Sequence, residues 1–377
     1  MRRTDSIRAV VNGDERFHVK ACRAEDLLDS LPDSCVSLIV TDPPYFKVKA
    51  DEWDRAWKKP EEFLRWIGGI FDRFRRVLAP NGSMYVFASP QMAWNVEGEV
   101  RQRFDVLNAV TWGKAAGWSE KARKEDLRCF FGNSERVIFA EHVGADSSHL
   151  DAHGYDAECG RLREEIFRPL RQWMLTALTT GPGSRRLLNE AIGSSSSGGG
   201  MASHYFGETG QFELPTRTVY DRISDMWPRA FDRCYADVRS EYNRLHEEFE
   251  ARCAEVEHIR RPFTVSSSVP YTDVWTYPTV QSYDGKHGCE KPWQMGLDIV
   301  NASSRPDDLV LDCFAGSGCF PAAAVALGRR AIACDMSAEW ADVTRDRCRR
   351  AIDNPDSAST NRRAAIDQRV AADRIAS

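Results

Sequence analysis

Short apolar runs alternate with stretches of helical spacing through the first 145 residues. Val36-Ser37-Leu38-Ile39-Val40 is an apolar run stopped at Asp42-Pro43-Pro44, the pattern of a buried strand. Phe63, Leu64, Ile67, Ile70, Phe71, Phe74 and Leu78 recur three and four apart, which predicts a helix over 61–78. Pro80-Asn81-Gly82 is a turn signal, and 84–87, 106–112 and 136–140 are further strand candidates. The alternation returns near the other end, with strands over 308–312 and 330–334 and helices over 320–327 and 337–352. Strands alternating with helices predict an α/β fold with a mostly parallel sheet.

The middle of the chain has a different pattern. A helix is predicted over 162–178, broken by Gly181-Pro182-Gly183, and a short one over 185–192. Residues 193–200 are glycine and serine only and read as a flexible stretch. A long amphipathic helix is predicted over 228–259, with apolar positions Phe231, Tyr235, Val238, Tyr242, Leu245, Phe249, Cys253, Val256 and Ile259. That stripe suits packing on its own domain or pairing with a second subunit. The predicted organisation is a sheet domain in two halves, 1–145 and 266–354, an inserted mainly helical domain over 146–265, and a flexible tail over 355–377.

Composition adds limits. The 377 residues are 42% hydrophobic and 28% charged, ordinary for a globular protein. No apolar run approaches the roughly 18–20 residues of a membrane helix, and Met1-Arg2-Arg3-Thr4-Asp5 lacks the apolar core of a signal peptide. A cytoplasmic protein without membrane contact is the expectation. The eleven cysteines form no Cys-x-x-Cys pair, which suits reduced thiols and disfavours a zinc ribbon. His149 and His153 lie four apart but lack a metalloprotease glutamate, so no metal is expected. The net charge of −5 does not advertise a nucleic-acid binder, and any such surface must be a local patch.

Two segments carry chemistry. In Leu309-Val310-Leu311-Asp312-Cys313-Phe314-Ala315-Gly316-Ser317-Gly318, a strand runs into an acidic residue, a small-residue turn and a helix. Glycines let the backbone approach a ligand, and the helix start offers free N–H groups. The segment is neither a Gly-x-Gly-x-x-Gly fingerprint nor a P-loop. Asp335 ends the next predicted strand, where a carboxylate can accept bonds from both ribose hydroxyls, so a nucleoside-type ligand is implied. The second segment is Asp42-Pro43-Pro44-Tyr45. Its prolines fix Asp42 and Tyr45 relative to each other. A carboxylate and a backbone carbonyl held so can accept both N–H groups of a ring amine and favour an available lone pair on nitrogen. They also stabilise the positive charge that grows as a methyl group arrives.

Together the two segments resemble the S-adenosylmethionine-dependent amino-methyltransferases of DNA. The order, tetrad first and cofactor loop last, resembles the permuted β class of adenine-N6 and cytosine-N4 enzymes. The flanks agree, at 31–39, at 106–114 with its Trp-x-Lys ending, at 272–275 and at 287–292. The resemblance implies a Rossmann-like methyltransferase sheet with circularly permuted motifs and an inserted target-recognition domain. It implies that Asp42 and Pro43 polarise the target amine, Pro44 holds the turn and Tyr45 stacks on the base. Asp312, Phe314, Gly316 and Gly318 would line the S-adenosylmethionine pocket, with Asp335 on the ribose, Met336 beside the adenine ring and Lys291 serving cofactor or phosphate. One departure stands out: Arg23 falls where many relatives carry a cofactor-binding aspartate, so Glu25 or Asp26 substitutes or the contact is absent.

The resemblance also implies adenine rather than cytosine-N4, since relatives acting on adenine usually carry Asp at the head of the tetrad, and the base must flip out of the duplex. Residues 151–265 hold about 15 Lys/Arg against about 18 Asp/Glu, so only patches suit DNA. Lys114, Lys121, Arg123, Lys124 and Arg128 cluster near Trp118. Arg185, Arg186 and Asn189 open a helix after a Gly-Pro-Gly break, in the manner of a helix-turn-helix reader. His204, after the glycine–serine stretch, suits a phosphate or base edge, and the aromatic run around it suggests a loop that orders on double-stranded DNA. Short palindromic sites favour a homodimer. The family's origin points to bacteria or bacteriophages. Rival readings are cytosine-N4 methylation, methylation of RNA or a protein amide, and a catalytically silent DNA-binding regulator.

Overall fold

A computed structural model describes residues 5–46, 57–114, 128, 130, 132–143, 145, 154–194, 200–206, 212–265 and 269–354. Eight strands form one sheet: β1 (Phe17–Ala21), β2 (Val36–Thr41), β3 (Leu78–Ala88), β4 (Phe104–Gly113), β5 (Ser134–His142), β6 (Val274–Trp275), β7 (Leu309–Asp312) and β8 (Arg330–Asp335). Their order is β1-β8-β7-β2-β3-β5-β4-β6. Neighbours pair in parallel except at β5, which runs antiparallel to both β3 and β4. The expected mostly parallel sheet is therefore present, with one strand reversed.

Alternation along the strands builds two cores. Ile39, Met84, Val86, Leu309, Leu311 and Ile332 face a layer made by α1 (Asp5–Asn12), α2 (Ala24–Asp29), α3 (Pro60–Val77) and α4 (Ala93–Arg101). Leu38, Val40, Tyr85, Phe87, Val310 and Ala333 face α10 (Trp293–Ser303), α11 (Cys319–Ala326) and α12 (Ala338–Asp353). Strands buried on both faces read as near-continuous apolar runs, which is why 36–40 and 309–311 stand out in the sequence. α3 starts at Pro60, where a missing N–H costs nothing, with Glu62 reaching back to the Lys59 N–H.

From β2 the chain passes through α3 to β3 on one side; from β7 it passes through α11 to β8 on the other. The winding reverses between β7 and β2, which pair at Leu38↔Val310 and Ile39↔Leu311. In open α/β sheets the ligand crevice lies beyond the carboxyl ends of the strands at such a point. Asp42 follows β2 there and Asp312 closes β7, so residues 270 positions apart meet at one crevice.

Asp146–Arg260 is a separate compact unit, inserted between the two stretches that build the sheet unit. It contains α5 (Tyr155–Thr180), α6 (Arg185–Ile192), α7 (Gly200–Tyr205), α8 (Arg217–Met226) and α9 (Tyr235–Glu255). Leu162, Phe167, Leu170, Met174, Tyr220, Ile223, Phe231 and Val238 centre its own core. In the sheet unit, Arg261 Nε lies 2.5 Å from Glu141 Oε2 and its guanidinium covers the Phe139 ring. The chain thus returns to the sheet against the same strand, β5, from which it left.

Several expectations about the insert change. The long helix begins at Tyr235 rather than 228, because Pro228 lies in a turn and Cys234 is the cap whose sulfur accepts the Asp237 N–H. Its stripe packs into the unit's own core through Val238, Leu245 and Cys253, so it is not a free surface for a second subunit. The aromatic run after the glycine–serine stretch is no open loop: Ala202, Tyr205 and Phe206 are buried. Asn189 is corrected as a reader of base edges. It is 2% exposed, and its side-chain carbonyl accepts the Ala202 N–H at 3.0 Å, tying α6 to α7. Arg185 is likewise engaged, donating to the Phe206 carbonyl at 2.8 Å. Arg186 and His204 are exposed. Lys121, Arg123, Lys124, Trp118, His149, His153 and the tail over 355–377 lie outside the described residues. Among the described residues no helix is long and apolar enough to cross a membrane.

Candidate active site

A cavity of about 1070 Å³ opens at the β2/β7 junction. Its wall carries Asp42, Pro43, Pro44 and Tyr45 from one end of the chain, and Lys291, Asp312, Phe314, Gly316, Asp335 and Met336 from the other. Gly318 is not on that wall; it is the cap of α11, at φ +74°. A Cβ there would sit 2.8 Å from the Thr344 backbone, and one on Gly316 (φ +48°) would sit 2.9 Å from the His287 ring. These two glycines are required by backbone conformation and by close approach.

The acidic residues hold this loop in shape. Asp335 accepts the Gly316 N–H and the Ser337 N–H, each at 2.9 Å. Asp312 accepts the Phe314 N–H at 3.1 Å and the Thr41 hydroxyl at 2.7 Å, so the end of β7 is tied to the end of β2. Behind the loop, Arg347 is fully buried and donates to Glu290 and to the Ser317 carbonyl at 3.1 and 3.0 Å. Trp57, Trp66 and Phe314 form an aromatic wall, with Trp57–Trp66 centroids 4.5 Å apart and Trp66 edge-on to Phe314 at 5.8 Å. Met336, 70% exposed as a whole residue, also lines the cavity. At the departure noted in the sequence, Arg23 pairs with Glu25 at 2.9 Å, and Glu25 also accepts the Trp66 indole N–H. Glu25 lines the cavity and Asp26 is not among its lining residues. Burial would raise the Glu25 carboxyl, but the bonds from Arg23 and Trp66 outweigh it and hold the group below its ordinary range.

Burial pushes the Asp312 carboxyl up to about 7, against the bonds from Thr41 and Phe314. An acid raised on folding keeps its proton in the native state where the unfolded chain has lost it, so stability falls as pH rises from about 4 through about 7. That displacement corresponds to on the order of 4 kcal/mol. Asp312→Asn removes this contribution. Thermal unfolding of the free protein should therefore decline less steeply over that window in the variant, which should be the more stable of the two at pH 8.

The transfer end holds a charged cluster. The Lys291 ammonium bonds Asp42 Oδ2 and lies 3.1 Å from Glu135 Oε2. Lys291 thus bonds two carboxylates that its motif did not foretell, while lining the same cavity as Asp312 and Asp335. Glu135 also meets Lys114 at 2.6 Å and accepts the Tyr45 hydroxyl at 3.2 Å. Burial would raise Glu135, but Lys291 and Lys114 bring its carboxyl down to about 2. Burial wins at Asp42 over the Lys291 charge, with Glu135 adding to it, and its carboxyl is raised. Sequence reasoning missed Glu135: it enters β5 beside an apolar strand, and its partners lie far away in the chain. Among the described residues, no group of three or more His, Cys, Asp or Glu suits a metal ion.

A parallel-rich α/β sheet, a glycine cradle with a carboxylate beyond it, and a proline-fixed acid facing the same cavity define a group-transfer enzyme with a nucleoside-type cofactor. The chain belongs to the N6/N4 DNA methylase family, whose model, described as DNA methylase, matches residues 36–346. It is 39% identical to the DNA adenine methyltransferase YhdJ of Escherichia coli K12 over 318 residues, 83% of this chain and 76% of that one. It is 26% identical to the type II methyltransferase M1.MboII of Moraxella bovis over 325 residues, 84% and 90% of the two chains. Among solved structures it is similar to the cytosine-N4-specific PvuII DNA methyltransferase (TM-score 0.47, 12% identity, 90% and 93% covered). It is also similar to M1.HpyAVI in complex with SAM (TM-score 0.43, 15% identity, 88% and 99% covered).

Proposed function

We propose that the chain transfers a methyl group from S-adenosylmethionine to the N6 amine of adenine flipped out of double-stranded DNA. One observation carries the reading. Asp42 Oδ1 is buried, has no hydrogen-bond partner among the described residues and belongs to a residue on the cavity wall. A buried acceptor left unpaired costs on the order of 1–3 kcal/mol, a cost repaid when a ligand brings the donor. An exocyclic amine is such a donor.

The cavity suits the cofactor. Left-handed glycines let the loop backbone approach a ligand, Asp335 keeps lone pairs for ribose hydroxyls, and the Trp57–Trp66–Phe314 wall offers apolar contact. When bound, S-adenosylmethionine supplies an electrophilic methyl group. The chain's residues do the rest. Asp42 Oδ1 accepts one N–H of the amine and the Pro43 carbonyl the other, which frees the nitrogen lone pair and stabilises its growing positive charge. As the nitrogen–methyl bond forms, the methyl–sulfur bond breaks to leave a neutral thioether. The nitrogen then gives up one proton along its bond to an acceptor, from which it passes to water. Pro43 and Pro44 prevent the acceptors from turning away. The Tyr45 ring flanks the base while its hydroxyl stays on Glu135. Adenine is favoured by aspartate at the head of the tetrad and by the likeness to an adenine methyltransferase over most of the chain. Exposed Arg186 and His204 remain candidates for phosphate contacts on the inserted unit.

The test is transfer of labelled methyl from S-adenosylmethionine to unmethylated genomic DNA, followed by separation of the nucleosides. Label in N6-methyladenine is expected. Label in N4-methylcytosine would move the assignment to the other base of the family, and label absent from DNA would overturn it.

A further inference from the structure

The charged cluster around Asp42 contains more than the tetrad chemistry needs. Four elements meet there: the segment after β2 brings Asp42 and Tyr45, the start of β5 brings Glu135, the end of β4 leads to Lys114, and the residue before the α10 cap is Lys291. Side-chain exposure is 4% for Lys291, 14% for Asp42 and 13% for Glu135. In such surroundings charge interactions are much stronger than in water. A lysine bonded to Asp42 works against burial and favours the ionised acid, yet its positive charge opposes the charge growing on the target amine. Glu135 resolves the conflict, since it bonds the same ammonium from the other side. Lys114 in turn balances Glu135, so two carboxylates face two ammonium groups.

We propose that Glu135 is a positioning residue for methyl transfer: it holds Lys291 and the Tyr45 hydroxyl beside Asp42 and brings the cluster to neutrality, so that the amine meets an anionic acceptor without a net positive charge behind it. The inference rests on the reading of Asp42 as the amine acceptor. The β4–β5 ladder fixes Glu135 opposite Trp112, whose indole N–H donates to the Tyr277 carbonyl at 2.8 Å, so the carboxylate is carried on a rigid strand rather than a loop. The groups facing Asp42 are Lys291, Glu135 and Tyr45, with Asp312 from the end of β7; Lys114 and Cys289 stand behind them. Removing the Glu135 charge takes an anion from beside Asp42 and lets its proton leave more easily. Removing the Lys114 charge does the reverse.

The experiment measures kcat for full-length wild type, Glu135→Gln, Lys114→Met and Asp42→Ala on unmethylated genomic DNA. Cofactor and DNA are saturating, pH runs from about 5 to about 9, and KM and the melting temperature are recorded for each. Glu135→Gln should lower kcat about 10–100-fold, less than the roughly 10²–10³-fold lost with a group that itself meets the developing charge, with KM changed less than about threefold. Its acid limb should move to lower pH, and that of Lys114→Met to higher pH. A merely structural glutamate would lower kcat alike at every pH, and opposite displacements would not arise. A Glu135→Gln kcat within about threefold of wild type, or acid limbs that coincide in all folded variants, overturns the inference while the loss in Asp42→Ala preserves the reading of the site. Should Glu135→Gln fail to fold, the direction of the Lys114→Met displacement decides alone. Absence of transfer by wild type removes both.

Discussion

Asp42→Ala should bind S-adenosylmethionine within about threefold of wild type and transfer methyl at least about 10³-fold more slowly, the loss expected when a group aimed at developing charge is removed. On the proposed reading the residue meets the target amine, whereas the cofactor lies against the segment after β7, which Asp312 and Asp335 hold in shape. Asp42→Asn keeps a side-chain carbonyl but loses the charge, so its rate should fall between the two. Neither substitution should destabilise the fold. Asp42 is a largely buried carboxylate with one oxygen unpartnered among the described residues, and Lys291 keeps Glu135 when Asp42 is gone. A melting temperature equal to or above wild type, with the rate lost, would mark a residue retained for chemistry at a cost in stability. A rate loss that tracked unfolding would contradict this. Equilibrium cofactor binding, single-turnover transfer and thermal denaturation on the same preparations separate the cases.

The largest effect on stability is expected at Arg347. Its side chain is fully buried, pairs with an equally buried Glu290, lies over the Trp293 ring at 5.4 Å, and donates to the Ser317 carbonyl inside the glycine loop. Glu290 also receives the Tyr283 hydroxyl. Arg347→Met strands that carboxylate away from water, at a cost of about 3–5 kcal/mol. For a domain of this size that corresponds to a fall of roughly 10 °C in melting temperature. Cofactor affinity should fall as well, because Ser317 loses its anchor. Glu290→Gln in the Arg347→Met background should recover part of the loss, since the stranded charge, rather than the missing attraction, dominates the penalty. Additive losses in the double variant would show that the two residues act independently.

The strands that carry the site were legible because both faces of β2 and β7 are covered, which writes a continuous apolar run into the sequence. The edge strand β1 was not, because Phe17-His18-Val19-Lys20-Ala21 is only partly buried and mixes polar residues into a short stretch. β6 is two residues long and exists through its pairing with Thr111 and Trp112, a partner that no local pattern reveals. α10 escaped notice because it is buried on several sides and lacks a polar face to give it a period. The cofactor loop and the tetrad were read from local motifs, since glycine conformation and proline rigidity are local properties. Glu135 and the true partners of Lys291 were not, because ion pairs are set by distance in space. Asn189 failed in the opposite sense: a polar residue in a basic helix suggested recognition, and its amide is spent on the neighbouring helix.

The chain leaves the sheet from β5 and returns with Arg261 laid on Glu141 and Phe139 of that same strand. Closing a loop costs entropy that grows only slowly with its length, and here the anchorage of the returning chain at Arg261 is supplied by the sheet unit itself. The insert is therefore a cassette in thermodynamic terms. Its interior can diverge, lengthen or be exchanged for another folded unit without disturbing the glycine loop or the tetrad, provided that Glu141 and Arg261 are kept. The sheet unit that carries the site can in this way take up changes in the insert, because both ends of the seam are held on one strand.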